Sequence, residues 1–429
     1  MSGYAEYREV NLPWLKAVPA HWEIRRNKNI FTEQKEIVGE RSADYTLLSL
    51  TLNGIIPRDM DGGGKFPESF DKYKIVKNGD MAFCLFDIDE TPRTVGLSGY
   101  NGMLTGAYTI MRVSNINARF IYYYYLALDN GKMLRPLYTG LRKTININTF
   151  QSTKVPVPPR EEQDQIVRFL DWKVSSINRL INIKQEQLRK VKELLDRLFR
   201  DTTSKCSKKV KIKYLFELDD DFFVPDASES YAKAGMYNRG RGIFLREPCL
   251  GNELGDSQFQ HIHSDRLMLS GQFAREDAVY ITQEKDTHGI ASHRYYLLKP
   301  VRYIPVEYLW LYFLSGEGFF NLQQCSHGSA GRNRPLNIKE VLNLELPVPD
   351  DKEKANALNE LVRDYMRLQV ITEEEKKALL DFKTHLVADI VTGKIDVRGI
   401  EIPEYEFVDE DTDTGNEDGS EEETEEQED

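Results

Sequence analysis

The same local pattern occurs twice in this chain of 429 residues. The segment KVPVPPREEQDQIVRFLD begins at Lys154, and ELPVPDDKEKANALNEL begins at Glu345. With an offset of 191 residues, Asn146 aligns with Asn337 and the two Pro-Val-Pro segments coincide. An internal repeat of this size predicts that the chain contains two versions of one structural unit.

A segment with apolar residues at two of every seven positions follows each proline motif. These positions run from Val167 to Leu198 in the first copy and from Leu358 to Asp389 in the second, where Thr372 and Glu375 interrupt the pattern. Heptads of this kind predict helices that pair as a coiled coil. The predicted helix–helix contacts are Leu170, Ile177, Leu188, Leu195, Leu361, Leu368, Leu379 and Leu386.

We therefore predict an α+β fold. Two mixed, β-rich domains form a pseudo-two-fold repeat and are separated by two long helices in an antiparallel coiled coil, because a single amphipathic helix is not stable alone in water. The alternative is two independent helical hairpins, each docked on its own domain. The predicted parts are a first domain at 1–155, a spacer helix at 156–204, a second domain at 205–348, a second spacer helix at 349–399 and an acidic disordered tail at 400–429.

Local sequence patterns fill in the β-rich domains. The segments YTLLSL, DMAFCLF, YTIMRV and YYLLKP are typical of strands, and glycine-rich segments between them mark loops. The tyrosine-rich segment FIYYYYLAL predicts a helix that packs on several faces rather than a surface on which bases stack.

The net charge of −12 is misleading about the folded part. From Asp409 onward the chain carries 13 acidic residues and no Lys or Arg. Without them, residues 1–408 contain 56 acidic and 57 basic side chains, so the net charge does not exclude a nucleic-acid partner. The tail itself is typical of disordered chain, and one hypothesis is that it competes with DNA phosphates for basic loops.

The four cysteines lie far apart and form no zinc or disulfide pattern. The N-terminus does not resemble a secretory signal, and no apolar segment approaches the ~18 residues needed to span a membrane. These features favour a cytoplasmic protein with no membrane partner.

Catalytic motifs are not apparent in the sequence. It contains no phosphate-binding loop of the G-x-x-x-x-G-K-[ST] type and no Asn-Pro-Pro-aromatic motif of amino-methyltransferases. The segment PDASES lacks the correctly spaced Lys of a nuclease site, and PDDKEK lies at the predicted start of a helix, where acidic residues are typical caps, so we expect both to be structural. The His-Ile-His segment at 261–263 could place two metal ligands on a strand, but no third ligand is evident, so we expect no metal site.

Two loops in equivalent positions before the proline motifs are the best candidates for DNA binding. YTGLRKTIN and CSHGSAGRNRPLN both combine Gly, Arg and Asn, which allow close backbone approach and contacts to phosphates and bases. Weaker candidates lie around the glycine-rich segments. The predicted DNA-binding residues are Thr139, Arg142, Lys143, Ser329, Arg332, Asn333, Arg334, Arg58, Lys65, Arg93, Asn238, Arg239 and Arg241.

These motifs together resemble the specificity subunit of type I restriction–modification enzymes. The resemblance rests on LPWLKAVPAHWEI near the start, the Gly-Leu-Arg-Lys loop, PVPPREEQDQIVRFLD and the closing VTGKIDVRG, and it covers about residues 10–400. The second copy departs from the pattern because DKEKANAL lacks the Glu-Gln pair.

The resemblance implies a non-catalytic subunit that binds a bipartite site on double-stranded DNA through two recognition domains. It implies no cofactor on this chain. Two modification subunits would methylate adenine with S-adenosylmethionine, and two restriction subunits would use ATP and Mg²⁺. Two other interpretations remain open: a two-headed coiled-coil scaffold for protein interactions with no DNA role, and a DNA methyltransferase with a dispersed site.

Overall fold

The computed structural model describes residues 2–52, 54–58, 69–138, 143–237, 242–255, 257–272, 278–327, 335–349 and 352–409, without the side chains of 352–355. The chain divides into two compact units. Unit 1 contains residues 1–184 and 374–429, and unit 2 contains residues 185–373. The division falls within both long helices rather than at their ends, which differs from the predicted domain boundaries.

Unit 1 is built on an antiparallel four-stranded sheet in the order β4-β11-β8-β9, with the other strands paired two by two as β1–β2, β3–β12, β5–β6 and β7–β10. Its helices are α1 (Ala118–Asn130), α2 (Ile147–Ser152), the first part of α3 (Arg160–Thr203) and the last part of α7 (Lys352–Val391). In chain order the strands are β1 (Tyr7–Leu12), β2 (Leu15–Pro19), β3 (Glu23–Arg26), β4 (Phe31–Gln34), β5 (Leu48–Thr51), β6 (Gly54–Pro57), β7 (Lys74–Val76), β8 (Asp80–Phe83), β9 (Val95–Leu97), β10 (Gly102–Leu104), β11 (Thr109–Val113) and β12 (Lys154–Val157).

Helix α1 forms the centre of the core of unit 1. The Asn117 side chain caps its first turn by accepting hydrogen bonds from the backbone N–H groups of Arg119 and Phe120. Tyr124 and Tyr125 are fully buried, and their hydroxyl groups are bonded to Trp14 and Asn27. The prediction that the tyrosine-rich segment is a helix packed on several faces is confirmed.

Unit 2 contains a four-stranded sheet of the same pattern, in the order β14-β23-β20-β21, and the pair β13–β24. A second sheet has the order β15-β19-β22-β16-β17, and β18 also pairs with β16. Its helices are the last part of α3, α4 (Val306–Leu314), α5 (Gly316–Gln324), α6 (Ile338–Asn343) and the first part of α7. The strands are β13 (Lys208–Lys211), β14 (Phe216–Leu218), β15 (Phe222–Phe223), β16 (Ser230–Met236), β17 (Ile243–Leu245), β18 (Cys249–Leu250), β19 (Phe259–His261), β20 (Leu267–Ser270), β21 (Val279–Ile281), β22 (Gly289–Ser292), β23 (Tyr295–Pro300) and β24 (Glu345–Val348).

The long helices contribute to the core of each unit. In unit 1, Leu170 of α3 and Leu386 of α7 belong to one apolar core, and two direct contacts join the helices: Lys184 Nζ lies 2.6 Å from Glu375 Oε2, and Lys383 Nζ donates to Asn178 Oδ1 at 3.2 Å. In unit 2, the other part of each helix shares a core, which includes Leu195, Phe199, Leu358, Val362, Tyr365 and Met366. No helix of the described residues is long and apolar enough to cross a membrane.

The buried stripe of α7 differs from the predicted heptad. Leu361 and Leu368 are 42% and 37% exposed, whereas Val362 is fully buried. Thr372, which interrupts the apolar pattern, is buried at 4% exposure. Steps of three and of four residues both return to the same helix face. Because Leu361 and Val362 are both apolar, periodicity alone could not decide which of them faces the core.

The beginning of the predicted disordered tail is held on α3 within unit 1. Ser175 Oγ donates to Glu406 O at 2.9 Å and accepts from Val408 N at 2.7 Å. Two asparagines continue this contact, since Asn178 Nδ2 donates to Val408 O and Asn182 Nδ2 to Asp409 O, both at 3.1 Å. Residues 401–409 are therefore attached to the helix through their last four residues, contrary to the prediction that disorder begins at residue 400.

Candidate nucleic-acid interface

The loop of unit 1 before the proline motif is attached to the end of β8. Ile145 N donates to Leu85 O at 2.8 Å, directly after this strand of the sheet. Asn146 then caps α2 by accepting from Asn148 N at 2.9 Å. The attachment places Tyr138 and Lys143, which flank residues 139–142, beside the loop that follows β8.

Asp89 holds the two flanks of this loop together. Its carboxylate accepts hydrogen bonds from Tyr138 Oη at 2.7 Å and Arg135 Nε at 2.8 Å, and Lys143 Nζ lies 3.6 Å away. The neighbouring Glu90 accepts from Lys143 Nζ at 3.1 Å. The hydrogen bond from Tyr138 lowers the pKa of Asp89, and the hydrogen bond to Glu90 raises the pKa of Lys143, so both groups are charged at neutral pH.

Lys143 also has an unusual backbone conformation. Its φ of +45° lies in the left-handed region, which is uncommon for residues other than glycine. Such a conformation persists where surrounding contacts impose it, and here the side chain is held by Asp89 and Glu90. Lys143 is therefore a predicted DNA-binding residue whose position is fixed by the structure.

Arg93 and Arg58 lie in different surroundings. Arg93 is mostly buried, and its Nη1 donates to Asp129 Oδ2 at 3.1 Å and to Asn130 Oδ1 at 2.7 Å. Asp129 also accepts from Lys132 Nζ and the Thr94 hydroxyl, which makes a closed polar cluster at the end of α1. Arg58 is exposed directly after β6. DNA binding by either arginine stays a prediction.

The equivalent loop of unit 2 is attached in the same way. Leu336 N donates to Gly271 O at 2.7 Å, just after β20, and Asn337 caps α6. On the other side of the loop, Ser326 and Leu336 form an antiparallel bridge, and His327 Nε2 lies 2.7 Å from Glu340 Oε2. The structure therefore brings both ends of this loop close to the C-terminal end of β20, an interior strand of the four-stranded sheet.

Ten of the thirteen predicted DNA-binding residues lie outside the described residues. They are Thr139, Arg142, Lys65, Asn238, Arg239, Arg241, Ser329, Arg332, Asn333 and Arg334.

The N-terminal motif and the first proline motif meet at Glu162. The side chain of Glu162 is 5% exposed. Its carboxylate accepts hydrogen bonds from Tyr4 Oη at 2.6 Å and Trp22 Nε1 at 2.9 Å, and His21 Nε2 lies 2.7 Å from it. Gln163 beside it donates to Pro158 O at 2.8 Å and accepts from Asn117 N at 2.8 Å. The Glu-Gln pair thus has a structural role at the start of α3.

The histidines of the His-Ile-His segment share one carboxylate. His261 Nδ1 and His263 Nε2 lie 3.1 and 3.0 Å from Asp221 Oδ2. Within the described part of the chain, no group of three or more His, Cys, Asp or Glu side chains could hold a metal ion. Burial raises the pKa of the Cys84 thiol, and that of Cys325 to about 11, so both thiols are protonated at neutral pH.

Asp89 and Glu162 each join distant parts of the chain, and local sequence patterns do not reveal these contacts. Asp89 is 49 residues from Tyr138, and Glu162 is 158 residues from Tyr4. Neither carboxylate lies in a motif with its partners. For Glu162, the repeated proline motif gave a signal of local importance, but it gave no information about the partner.

A family model matches part of unit 1. Residues 70–190 match the family model of the type I restriction modification DNA specificity domain, which spans much of the β-rich part of unit 1 and the beginning of α3. No similar protein is found among curated sequences.

Solved structures extend the likeness to most of the chain. A structure described as the basis of complex assembly and conformational transition of the type I R-M system has 11% identity and a TM-score of 0.53, and the match covers 88% of this chain and 99% of that one. This likeness shows a shared fold.

Two structures of individual subunits also match. The HsdS subunit from Thermoanaerobacter tengcongensis has 10% identity and a TM-score of 0.41, with 90% of this chain and 100% of that chain covered. The type I restriction–modification S subunit from M. genitalium has 13% identity and a TM-score of 0.43, with coverages of 92% and 100%. The family match confirms the resemblance drawn from the motifs for this part of the chain: residues 70–190 carry the DNA specificity domain of type I restriction–modification systems.

Proposed function

We propose that the chain binds a bipartite target on double-stranded DNA, with one half-site for each β-rich domain, and that it catalyses no reaction itself. One observation carries the proposal. In each unit, a loop that contains basic residues is attached to the end of a strand of the four-stranded sheet, through Ile145 N to Leu85 O in unit 1 and Leu336 N to Gly271 O in unit 2.

The composition of these loops suits DNA. Their Lys and Arg side chains can neutralise phosphates, and Arg, Asn and Ser can donate to or accept from base edges in the major groove. Loops at the ends of strands in a rigid sheet can change sequence without disturbing the core. A protein whose two halves bind unlike DNA sequences needs loops with this property. Unit 2 differs from unit 1 by its second sheet, β15-β19-β22-β16-β17, and this supports two unlike half-sites.

In this proposal the long helices form the antiparallel coiled coil of a pseudo-two-fold repeat and set the distance between the half-sites. Within unit 1 the N-terminal part of α3 shares a core with the C-terminal part of α7. Within unit 2 the C-terminal part of α3 shares a core with the N-terminal part of α7. Both sets of contacts support antiparallel pairing.

The proposed partners are two modification subunits, which use S-adenosylmethionine, and two restriction subunits, which use ATP and Mg²⁺. The similar solved structure is described in terms of complex assembly of the type I R-M system, and this supports a role in such a complex. The chain would then supply DNA recognition and docking, and the chemistry would belong to the partners.

Mapping of methylated adenines tests the proposal. The chain is expressed with its modification partners in a methylation-free host, and the genome is sequenced for N6-methyladenine. We expect one two-part motif with a fixed gap, which disappears when the chain is omitted. A variant that lacks one heptad from each long helix should methylate sites with a different gap. Methylation that does not depend on the chain would refute the proposal in favour of a protein-interaction scaffold.

A further inference from the structure

Two neighbouring carboxylates contact the same predicted DNA-binding lysine but have different surroundings. The side chain of Asp89 is 15% exposed and has three partners, Arg135, Tyr138 and Lys143. Glu90 is 71% exposed and contacts Lys143 at 3.1 Å. The first carboxylate is part of a network that joins the two flanks of the loop, whereas the second can exchange its partner with little effect on the fold.

The charges of this cluster compensate one another. Arg135 and Lys143 carry two positive charges, and Asp89 and Glu90 carry two negative charges. A DNA phosphate that approaches Lys143 must therefore displace a carboxylate or share the ammonium group with it. Glu90 is the carboxylate that can be displaced, because its side chain lies mostly in water, where an ion pair contributes little to stability.

We propose that Asp89 is a positioning residue that holds Lys143 for contact with a DNA phosphate, and that Glu90 competes with this phosphate for the same ammonium group. The inference rests on the proposed function and deepens it, because it assigns opposite effects on DNA binding to two adjacent acidic residues. Competition of this kind weakens binding to any DNA, so that additional contacts to the correct sequence become necessary for tight binding.

Three single variants test the inference. Asp89→Asn keeps the size of the side chain but removes its charge, Glu90→Gln does the same for the competing group, and Lys143→Ala removes the phosphate contact. The full-length chain, assembled with its modification partners, is titrated with a duplex that contains the methylated motif and with a duplex of scrambled sequence. Titrations at several salt concentrations give the number of phosphate contacts.

Adjacent acidic residues should act in opposite directions. Glu90→Gln should tighten binding to both duplexes several-fold at low salt. Asp89→Asn should weaken binding to the motif duplex by about tenfold, and Lys143→Ala should lower the salt dependence by about one unit. The double variant Asp89→Asn/Lys143→Ala should bind no more weakly than Lys143→Ala, because Asp89 acts through that lysine.

The inference and the proposed function fail in distinguishable ways. If wild-type protein does not prefer the motif duplex, the proposed function is wrong. If wild-type protein does prefer it, unchanged binding by Glu90→Gln overturns the competition, and additive losses in the double variant overturn the positioning role. Since Glu90 is mostly exposed, its variant remains informative even if Asp89→Asn does not fold.

Discussion

Unit 1 and unit 2 each connect a short helix to a long helix through an ion pair, but the charges are reversed. In unit 1 the cation lies on the short helix, where Arg119 Nε of α1 donates to Asp171 Oδ1 of α3 at 2.7 Å. In unit 2 the anion lies on the short helix, where Arg363 Nε of α7 donates to Glu307 Oε1 of α4 at 2.6 Å. Both units thus place an ion pair between the short and the long helix, and the sign on each helix is exchanged.

The central strands of the two four-stranded sheets show a similar exchange. Arg112 of β11 pairs with Asp80 of the neighbouring strand β8 at 3.2 Å. Lys299 of β23, which aligns with Arg112 at an offset of 187 residues, pairs at 3.2 Å with Asp219, directly after β14. The cation is in the same place in both units, but its acidic partner comes from the strand on the opposite side.

These exchanges explain why the repeat is clear in some segments and faint in others. The proline motif and the asparagine cap are local features, so each copy must contain them at one position. An ion pair joins residues that are distant in sequence, and either partner can move if the other still has a neutralising group nearby. The two units can therefore share a sheet order while their sequences differ.

The largest predicted effect follows from the burial of Glu307, whose side chain is only 2% exposed. Replacing Arg363 with Met should destabilise unit 2 by about 2 kcal/mol, because it leaves a buried carboxylate without its cation. Asn359 limits the loss, since its amide nitrogen can donate to both carboxylate oxygens, at 2.5 and 2.8 Å. Hydrogen–deuterium exchange should show faster exchange in α4.

Unit 1 supplies the matched control for this variant. Arg119→Met should cost about 1 kcal/mol or less, because Asp171 is 15% exposed and keeps the hydrogen bond from Tyr123 Oη at 2.7 Å. The increase in exchange rate should then be confined to α1, and it should be smaller than the increase in α4 in Arg363→Met. Equal losses of stability in Arg363→Met and Arg119→Met would show that burial of the anion does not determine the cost of removing its cation. Addition of Glu307→Gln to Arg363→Met should recover most of the loss.

The acid stability of unit 2 should depend on Asp219. Burial acts to raise the pKa of this carboxyl, but hydrogen bonds from Arg266 and Lys299 outweigh it and hold the pKa below its usual value. A lowered pKa in the folded state stabilises the protein above the pKa of the unfolded state, about 4, and this contribution is lost as pH falls through the folded-state pKa. The expected effect is smaller than that of Arg363→Met and limited to acidic solutions.

Acid titrations of wild-type protein and Asp219→Asn check this expectation. Hydrogen exchange of β20 and β23, measured from pH 5 downward and corrected for the intrinsic pH dependence, should show a steeper loss of protection in the wild-type protein. The variant should be less stable at pH 5 and approach wild type as pH decreases. Parallel curves at every pH would contradict the assignment of the effect to Asp219.

The sequence predicted local structure better than long-range contacts. The strand-like segment YYLLKP coincides with β23, and α3 lies within its predicted limits, because periodicity and proline position act within a few residues. The attachment of residues 401–409 to α3 could not be predicted, since it consists of side-chain contacts to backbone atoms more than 220 residues away in sequence. The role of Asp89 was hidden for the same reason.

The smallest predicted effect tests the difference between the two long helices. In α3 the predicted core positions Leu170, Ile177 and Leu195 are buried, whereas in α7 Leu361 is 42% exposed and its neighbour Val362 is fully buried. Leu361→Ala should therefore change the free energy of unfolding of unit 2 by no more than about 0.5 kcal/mol, as expected for an exposed position.

Val362→Ala is the matched variant. It should lower the free energy of unfolding by more than about 1 kcal/mol, because it leaves a cavity in the core. Truncation of larger buried aliphatic side chains to Ala costs roughly 2–5 kcal/mol. Hydrogen exchange rates in α7 measure the change in stability of each variant. A large loss of stability in Leu361→Ala with little loss in Val362→Ala would show that Leu361 is the core residue, as the heptad predicts. Both helices would then use the same pair of heptad positions in the core.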